Sequence, residues 1–317
     1  MKIAMHRKLF LSEIENLISC EYIGKDIFIE GLNLCDRPTL YNSIISYVTS
    51  KKYKNSFLKN ENIRALFLTK EMYNDYKALK NECSFFIVKN PEEMFYELHH
   101  KLINLSDFYN LNSEKRLSRN NFHSSVIIEN NVQIGENIKI GYNSIIKKGS
   151  IIGNNAVIGD NVVVGCEGFQ VINLNGIIKH IEHVGGVNIG ENVFIGSGTT
   201  ISKALFEGHV IVGHNTKIDN QVHIGHNSII GKNSVITGNC LLMGSVKIGD
   251  NVWIAPSSTI SNRVNISDNS FIGSSSLLNR NTKKHEKMMG VPAINFDDYM
   301  KLIINNKKLI LKNNKKQ

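Results

Sequence analysis

The chain has 317 residues, 42% of them hydrophobic, with a formal net charge of +9, enough for two ordinary domains with buried cores. No apolar run approaches the roughly eighteen residues of a membrane span. The five cysteines are odd in number and far apart, so they form neither a CxxC metal pair nor a disulfide framework. The N-terminal stretch has basic residues but is interrupted by Glu13 and Glu15, which leaves no apolar signal core. The expected location is therefore cytoplasmic. A positive balance suits an acidic partner such as nucleic acid, anionic lipid or an acidic carrier protein. It can also be composition alone in a chain so rich in Lys, Asn and Ile.

In chain order, residues 1–105 alternate short apolar strands with helical patterns, as in ALFLTKEMYNDYKAL, and Pro91 with Glu92 opens a helix. They predict an α/β domain. A polar linker, 106–122, leads to residues 123–285, where an aliphatic residue recurs at every sixth place. The series runs from Ile128 to Val164, from Ile189 to Ile201 and from Val212 to Leu278. Small or branched residues such as Ser144, Ala156, Thr216 and Ser228 come four places later.

A strict period of six suits neither the three- and four-residue steps of a helix nor the turn spacing of a meander. It predicts a parallel β-solenoid with three short sides per coil, the aliphatic pointing inward and Gly or Asn turning the corners. Residues eighteen apart should then be stacking neighbours. Two breaks in the period, loop 166–188 and the stretch SKALFEGHVI, should project and line a binding site. Residues 286–317 return to helical spacing, with Phe296, Met300, Ile303 and Ile304 on one side.

Four features together, GLNLCDRPTLYNSIISYVTSKKY, a loop with Gly168 and Phe169, the string TKIDNQVHIGHN and a terminal GVPA, resemble the UDP-3-O-acylglucosamine N-acyltransferase (LpxD) family. Its members are left-handed β-helix, hexapeptide-repeat acyltransferases, and the resemblance covers almost the whole chain. It implies a mainly β fold: a left-handed parallel β-helix over 123–285, an α/β uridine-nucleotide-binding domain over 1–105 and a C-terminal helical extension. It also implies a cytoplasmic homotrimer with active sites between subunits. The implied reaction moves a 3-hydroxyacyl group from acidic acyl carrier protein to the amine of a UDP-linked amino sugar, UDP-3-O-acylglucosamine, in lipid A synthesis. No metal and no tightly bound cofactor are implied.

Acyl transfer from a thioester to an amine needs a base, an oxyanion donor and positioning. By resemblance His226 is the base and Asp219 orients it, the carboxylate fixing the imidazole tautomer. Gly244 lies eighteen residues beyond His226 and should stack beside it, its N–H facing the oxyanion. The other histidines His209, His214 and His223 read as solvated corner residues. In the first domain Tyr47 and Tyr53 would sandwich a uracil, with Lys52 on the diphosphate. Gly168 and Phe169 would approach the sugar, and Leu277 would stop the acyl chain. Lys307, Lys308 and Lys312 form a basic dock for the carrier.

The chain departs from the family pattern in four places. Arg263 stands where a second histidine is usual; it can bind a phosphate of the donor but cannot shuttle protons at neutral pH. A TTIDRG string reads Thr199-Thr200-Ile201-Ser202-Lys203-Ala204, a K-I-P-Q-L-G stretch reads KHIEHVGG, and Ser50 replaces an asparagine. These changes leave two alternatives open. One is a paralogue acylating another nucleotide-linked amino sugar with acyl-CoA or acetyl-CoA. The other is a non-catalytic trimeric scaffold. Trp253 and scattered lysines form no nucleic-acid motif. With no membrane span, a peripheral position near a membrane is compatible with the lipid substrate.

Overall fold

The structure, a computed structural model, describes residues 8–37, 39, 41–80, 82–105, 108–109, 122–174, 176–206 and 208–314, without the side chains of 309–314. Most of the expected linker and the Lys312 side chain lie outside the described residues. The chain divides into two compact units, Met1–Asn112 with Phe169–Gly185 and Ala204–Gly208, and the remainder.

The first unit is α/β. Its five-stranded sheet runs Tyr22–Ile23, Ser84–Ile87, Ile63–Leu68, Ile44–Tyr47, Gly31–Leu32, parallel except at Tyr22–Ile23. Four helices pack with it: α1 (Leu11–Ile18), α2 (Lys54–Lys59), α3 (Lys70–Lys77) and α4 (Pro91–Asn104). Asn90 caps α4 by accepting the Glu93 N–H at 3.3 Å, and Pro91 occupies a first-turn position where no donor is lost. Side chains alternate across the strands. Ile45, Ala65, Phe67 and Phe86 therefore enter one hydrophobic cluster, and Ile44, Leu66, Leu68 and Phe85 the other.

The two chain breaks belong to this unit's core. Ile172, Ile181, Leu205 and Phe206 are buried in the first cluster beside Phe95 and Tyr96. The first break folds as an antiparallel hairpin, Val171–Leu174 with Ile177–His180. Its return strand is pinned by His99, which is 1% exposed: Nε2 donates to the Glu182 carbonyl at 2.9 Å, leaving Nδ1 to accept from the Tyr109 hydroxyl at 3.1 Å.

The second unit is the solenoid. Two-residue strands stack into a nine-, an eight- and a seven-stranded sheet, parallel throughout the repeats. These are the three sides of one coil, as the period of six requires. The hexad aliphatics point inward, and Ile218, Ile224, Ile236 and Leu242 are 0% exposed. Ser144, Ala156, Thr216 and Ser228 are equally buried. The hydroxyls among them are satisfied by backbone, Ser144 Oγ donating to the Gly159 carbonyl at 2.7 Å and Thr216 Oγ1 to that of Gly231 at 2.8 Å.

Many corners are turned by asparagines in the left-handed region, among them Asn155 (φ 58°), Asn192 (56°), Asn215 (62°) and Asn233 (54°). Asn is one of the few residues that adopts this conformation at low cost. At one corner their amides form a ladder, Asn155 to Asn192, Asn192 to Asn215 and Asn215 to Asn233, each at 3.1 Å. The sequence separations along it, 37, 23 and 18, locate the two long excursions and then the regular coil.

The chain ends in α5 (Phe296–Asn314). Of its expected apolar side, Phe296 and Ile303 are half-buried, whereas Met300 and Ile304 are 40% and 47% exposed. No described helix is long and apolar enough to cross a membrane.

Candidate active site

His226 turns the corner between the strands His223–Ile224 and Ile229–Ile230. Asn227 makes that turn possible with φ 57°. The imidazole is half-buried, and its Nδ1 lies 3.0 Å from Asn227 Oδ1. An amide oxygen only accepts, so Nδ1 is the donor of this bond.

Nε2 faces the next coil. A Cβ built on Gly244 would lie 2.5 Å from Nε2, 2.8 Å from Cε1 and 3.0 Å from Cδ2, so only glycine allows the ring and backbone to approach so closely. A Cβ on Gly225 would stand 2.7 Å from the Gly244 nitrogen. Backbone bonds lock this column: the Ser245 N–H donates to the His226 carbonyl at 2.7 Å and the Arg263 N–H to the Gly244 carbonyl at 3.1 Å. The expected stacking of Gly244 on His226 is thus in place. Arg263 follows in the adjoining column of Asn227 and Ser245, exposed, with φ 62°.

One coil earlier, Thr200 pairs with His223 and Ile201 with Ile224, a register that brings Lys203 opposite His226. The Lys203 side chain is 12% exposed and its Nζ is 2.8 Å from Glu167 Oε2. Sequence reasoning missed this ion pair as well as Asn227. Glu167 precedes the first excursion and Lys203 the second, and an irregular strand pairing, Cys166 with Ser202, brings them together along a path no local pattern reveals.

Asp219 sits elsewhere. It follows the strand Lys217–Ile218 on another side of the coil, so the whole side His223–Ile224 separates it from the His226 corner. Its exposed carboxylate accepts the Asn220 N–H at 2.8 Å and faces Gly238. The expected Asp219–His226 pair is not made within one chain, because residues seven apart cannot share a corner in a six-residue side.

Of the other three histidines singled out in the sequence, one matches expectation and two differ. His214 is an exposed corner residue that accepts the Glu191 N–H at 3.0 Å. His223 instead lies within a side, its Nδ1 2.8 Å from Thr200 Oγ1, and burial lowers its pKa. His209 starts a strand and burial lowers its pKa to about 4. Both are half-buried rather than solvated.

In the α/β unit, Tyr47 and Tyr53 do not form parallel plates. Tyr47 packs into the first cluster, 5.0 Å from Phe95 ring to ring, and its hydroxyl donates to Glu92 at 2.9 Å. Tyr53 packs into the cluster on the opposite sheet face, with Lys52 Nζ 4.9 Å from its ring centre. The cause is the pleat: Tyr47 shares a face with Ile45, and the chain crosses the sheet edge before Tyr53. Phe169 is 82% exposed, its ring 6.2 Å from that of His180, while Gly168 is buried. Leu277 is half-buried on the eight-stranded side, and Leu278 points inward at 0% exposure.

Residues 131–166 match the bacterial transferase hexapeptide family (six repeats), and residues 185–220 and 221–255 match the hexapeptide repeat of succinyl-transferase. These residues are transferase-type hexapeptide repeats. The chain is similar to the UDP-3-O-acylglucosamine N-acyltransferase of Helicobacter hepaticus, at 34% identity over 48% of this chain and 47% of that one. It is similar to the enzyme of the same name from Helicobacter pylori at 44% identity, over 23% of this chain and 21% of that one. The chain thus aligns with about half the length of the first of these relatives and about a fifth of the second. Among solved structures, the UDP-N-acetylglucosamine acyltransferase from Campylobacter jejuni aligns at 24% identity and a TM-score of 0.43, over 54% of this chain and 72% of that one.

Proposed function

We propose that the protein is an N-acyltransferase that moves a 3-hydroxyacyl group from acyl carrier protein to the amine of UDP-3-O-acylglucosamine. The observation that carries this reading is the His226–Gly244 juxtaposition: Nε2 lies against the Gly244 backbone, where any side chain would collide with the ring. The names of the relatives agree with it.

In this reading the acceptor nitrogen attacks the thioester carbonyl carbon, a C–N bond forms, and the nitrogen's proton passes to His226 Nε2. The carbonyl oxygen becomes an oxyanion beside the Gly244 N–H. Collapse breaks the C–S bond, and the imidazolium returns its proton to the leaving thiolate. The protein works as a cytoplasmic homotrimer. Asp219 and His226 occupy the same coil, at one height along the solenoid, so a parallel three-fold assembly brings Asp219 of one copy level with His226 of the next. There it stabilises the imidazolium.

Lys52 and Tyr53 carry the nucleotide contact, with Tyr47 as support from the core. Gly168 and Phe169 approach the sugar, Arg263 takes a donor phosphate and Leu277 limits the acyl chain. A donor-by-acceptor matrix on purified protein, run beside His226→Ala, tests the reading. We expect turnover with 3-hydroxyacyl carrier protein and UDP-3-O-acylglucosamine, lost by at least about 100-fold in the variant. Turnover only with a coenzyme A thioester or another amino sugar would replace the substrates named here, and undiminished activity in the variant would overturn the mechanism.

A further inference from the structure

We infer that Asn227 is the positioning residue that sets the tautomer of His226, so that a neutral amide performs the task a carboxylate performs in serine-protease-type triads. The inference rests on the catalytic reading of His226. Its geometry is local and complete: Asn227 Oδ1 lies 3.0 Å from Nδ1, and the opposite ring nitrogen faces Gly244.

Asparagine at a left-handed corner has a routine structural use in this protein, and Asn227 is turned to a different one. At the laddered corner, Asn155, Asn192, Asn215 and Asn233 bond to one another along the axis. By register, Asn227 has His209 in the coil before it and Ser245 in the coil after, so its column offers no run of amides. Its amide oxygen is directed to the neighbouring imidazole instead.

The choice of amide over carboxylate has a chemical consequence. A carboxylate on Nδ1–H stabilises imidazolium and raises the histidine pKa. A neutral acceptor fixes the same tautomer without placing a charge of its own beside the ring, and leaves stabilisation of the imidazolium to Asp219 of the neighbouring copy. Lys203, opposite His226 in the previous coil, also disfavours imidazolium, though Glu167 offsets its charge.

The test uses the full-length protein and three variants, Asn227→Asp, Asn227→Gly and His226→Ala. Asp and Gly both tolerate a left-handed corner, so the fold survives, as a thermal melt will verify. For Asn227→Asp we expect the acid limb of the kcat/KM profile to move up by about one pH unit or more. For Asn227→Gly we expect kcat to fall by about tenfold or more with KM unchanged. Nitrogen-15 NMR of the His226 ring should show Nδ1–H in the parent and a tautomer mixture in Asn227→Gly.

A pH profile and ring spectrum unchanged in both Asn227 variants, with His226→Ala inactive, would overturn this inference and leave the catalytic reading standing. Full activity in His226→Ala would remove both.

Discussion

Gly244 does not adopt the left-handed backbone that justifies many glycines; what excludes a side chain there is the imidazole, 2.5 Å from where a Cβ would sit. Gly244→Ala should therefore rotate or displace the His226 ring while leaving the coil intact. We expect kcat to fall by about 100-fold, the usual order for a misplaced catalytic group, with little change in the thermal midpoint. An alanine variant of full activity would show that the ring does not work from its observed position. The histidine and glycine were legible in sequence, the first from its string and the second from a stacking interval of eighteen. Asn227 was not, because asparagine recurs at solenoid corners for backbone reasons and the rotation of its amide leaves no trace in the sequence. Asp219 was singled out by its string, but its placement away from the His226 corner was not legible, since the string gives a separation of seven and not the corner each residue turns.

At the scale of elements, the two excursions were legible as breaks in a period of six, but not where they go. They were expected to project, whereas Ile172, Ile181, Leu205 and Phe206 are core residues of the α/β unit. Four apolar side chains scattered in two short loops carry no recognisable period, and only packing reveals their destination. His99 turns this packing into a pH dependence. Burial lowers its pKa from 6.5 to about 4, so the folded unit holds it neutral while the unfolded chain binds a proton below about 6.5. Its contribution is fully present above pH 6.5 and is lost as pH falls towards 4. Urea unfolding of the parent should show a loss on the order of 1 kcal/mol or more between pH 7 and pH 5. His99→Gln should flatten that dependence, and an equal slope in the variant would assign it to other groups.

At the scale of the whole molecule, the C-terminal helix carries part of the net charge of +9. In α5 Lys307 and Lys308 are exposed, and the helix leaves Met300, Leu302 and Ile304 on its surface. A mixed basic and apolar face suits an acidic carrier, for which charge chiefly accelerates encounter. Lys307→Glu with Lys308→Glu should slow transfer from acyl carrier protein severalfold at low ionic strength and have little effect near 1 M salt, where the screening length is about 3 Å. Rates that match the parent at low salt would separate the helix from donor docking.

The ladder's spacings of 37, 23 and 18 residues also bear on the order in which the protein assembles. Each coil of a solenoid gains stability only from its neighbours, and structure spreads from whichever segment closes first. Doubling a loop adds about 0.6 kcal/mol to the entropy lost on closure, so the step of 37 is dearer to close than the regular step of 18. Folding should then begin in the uninterrupted coils after Lys217, which include both His226 and Gly244, and reach the coils around the first excursion later. The His226–Gly244 corner would then become ordered before the N-terminal coils close.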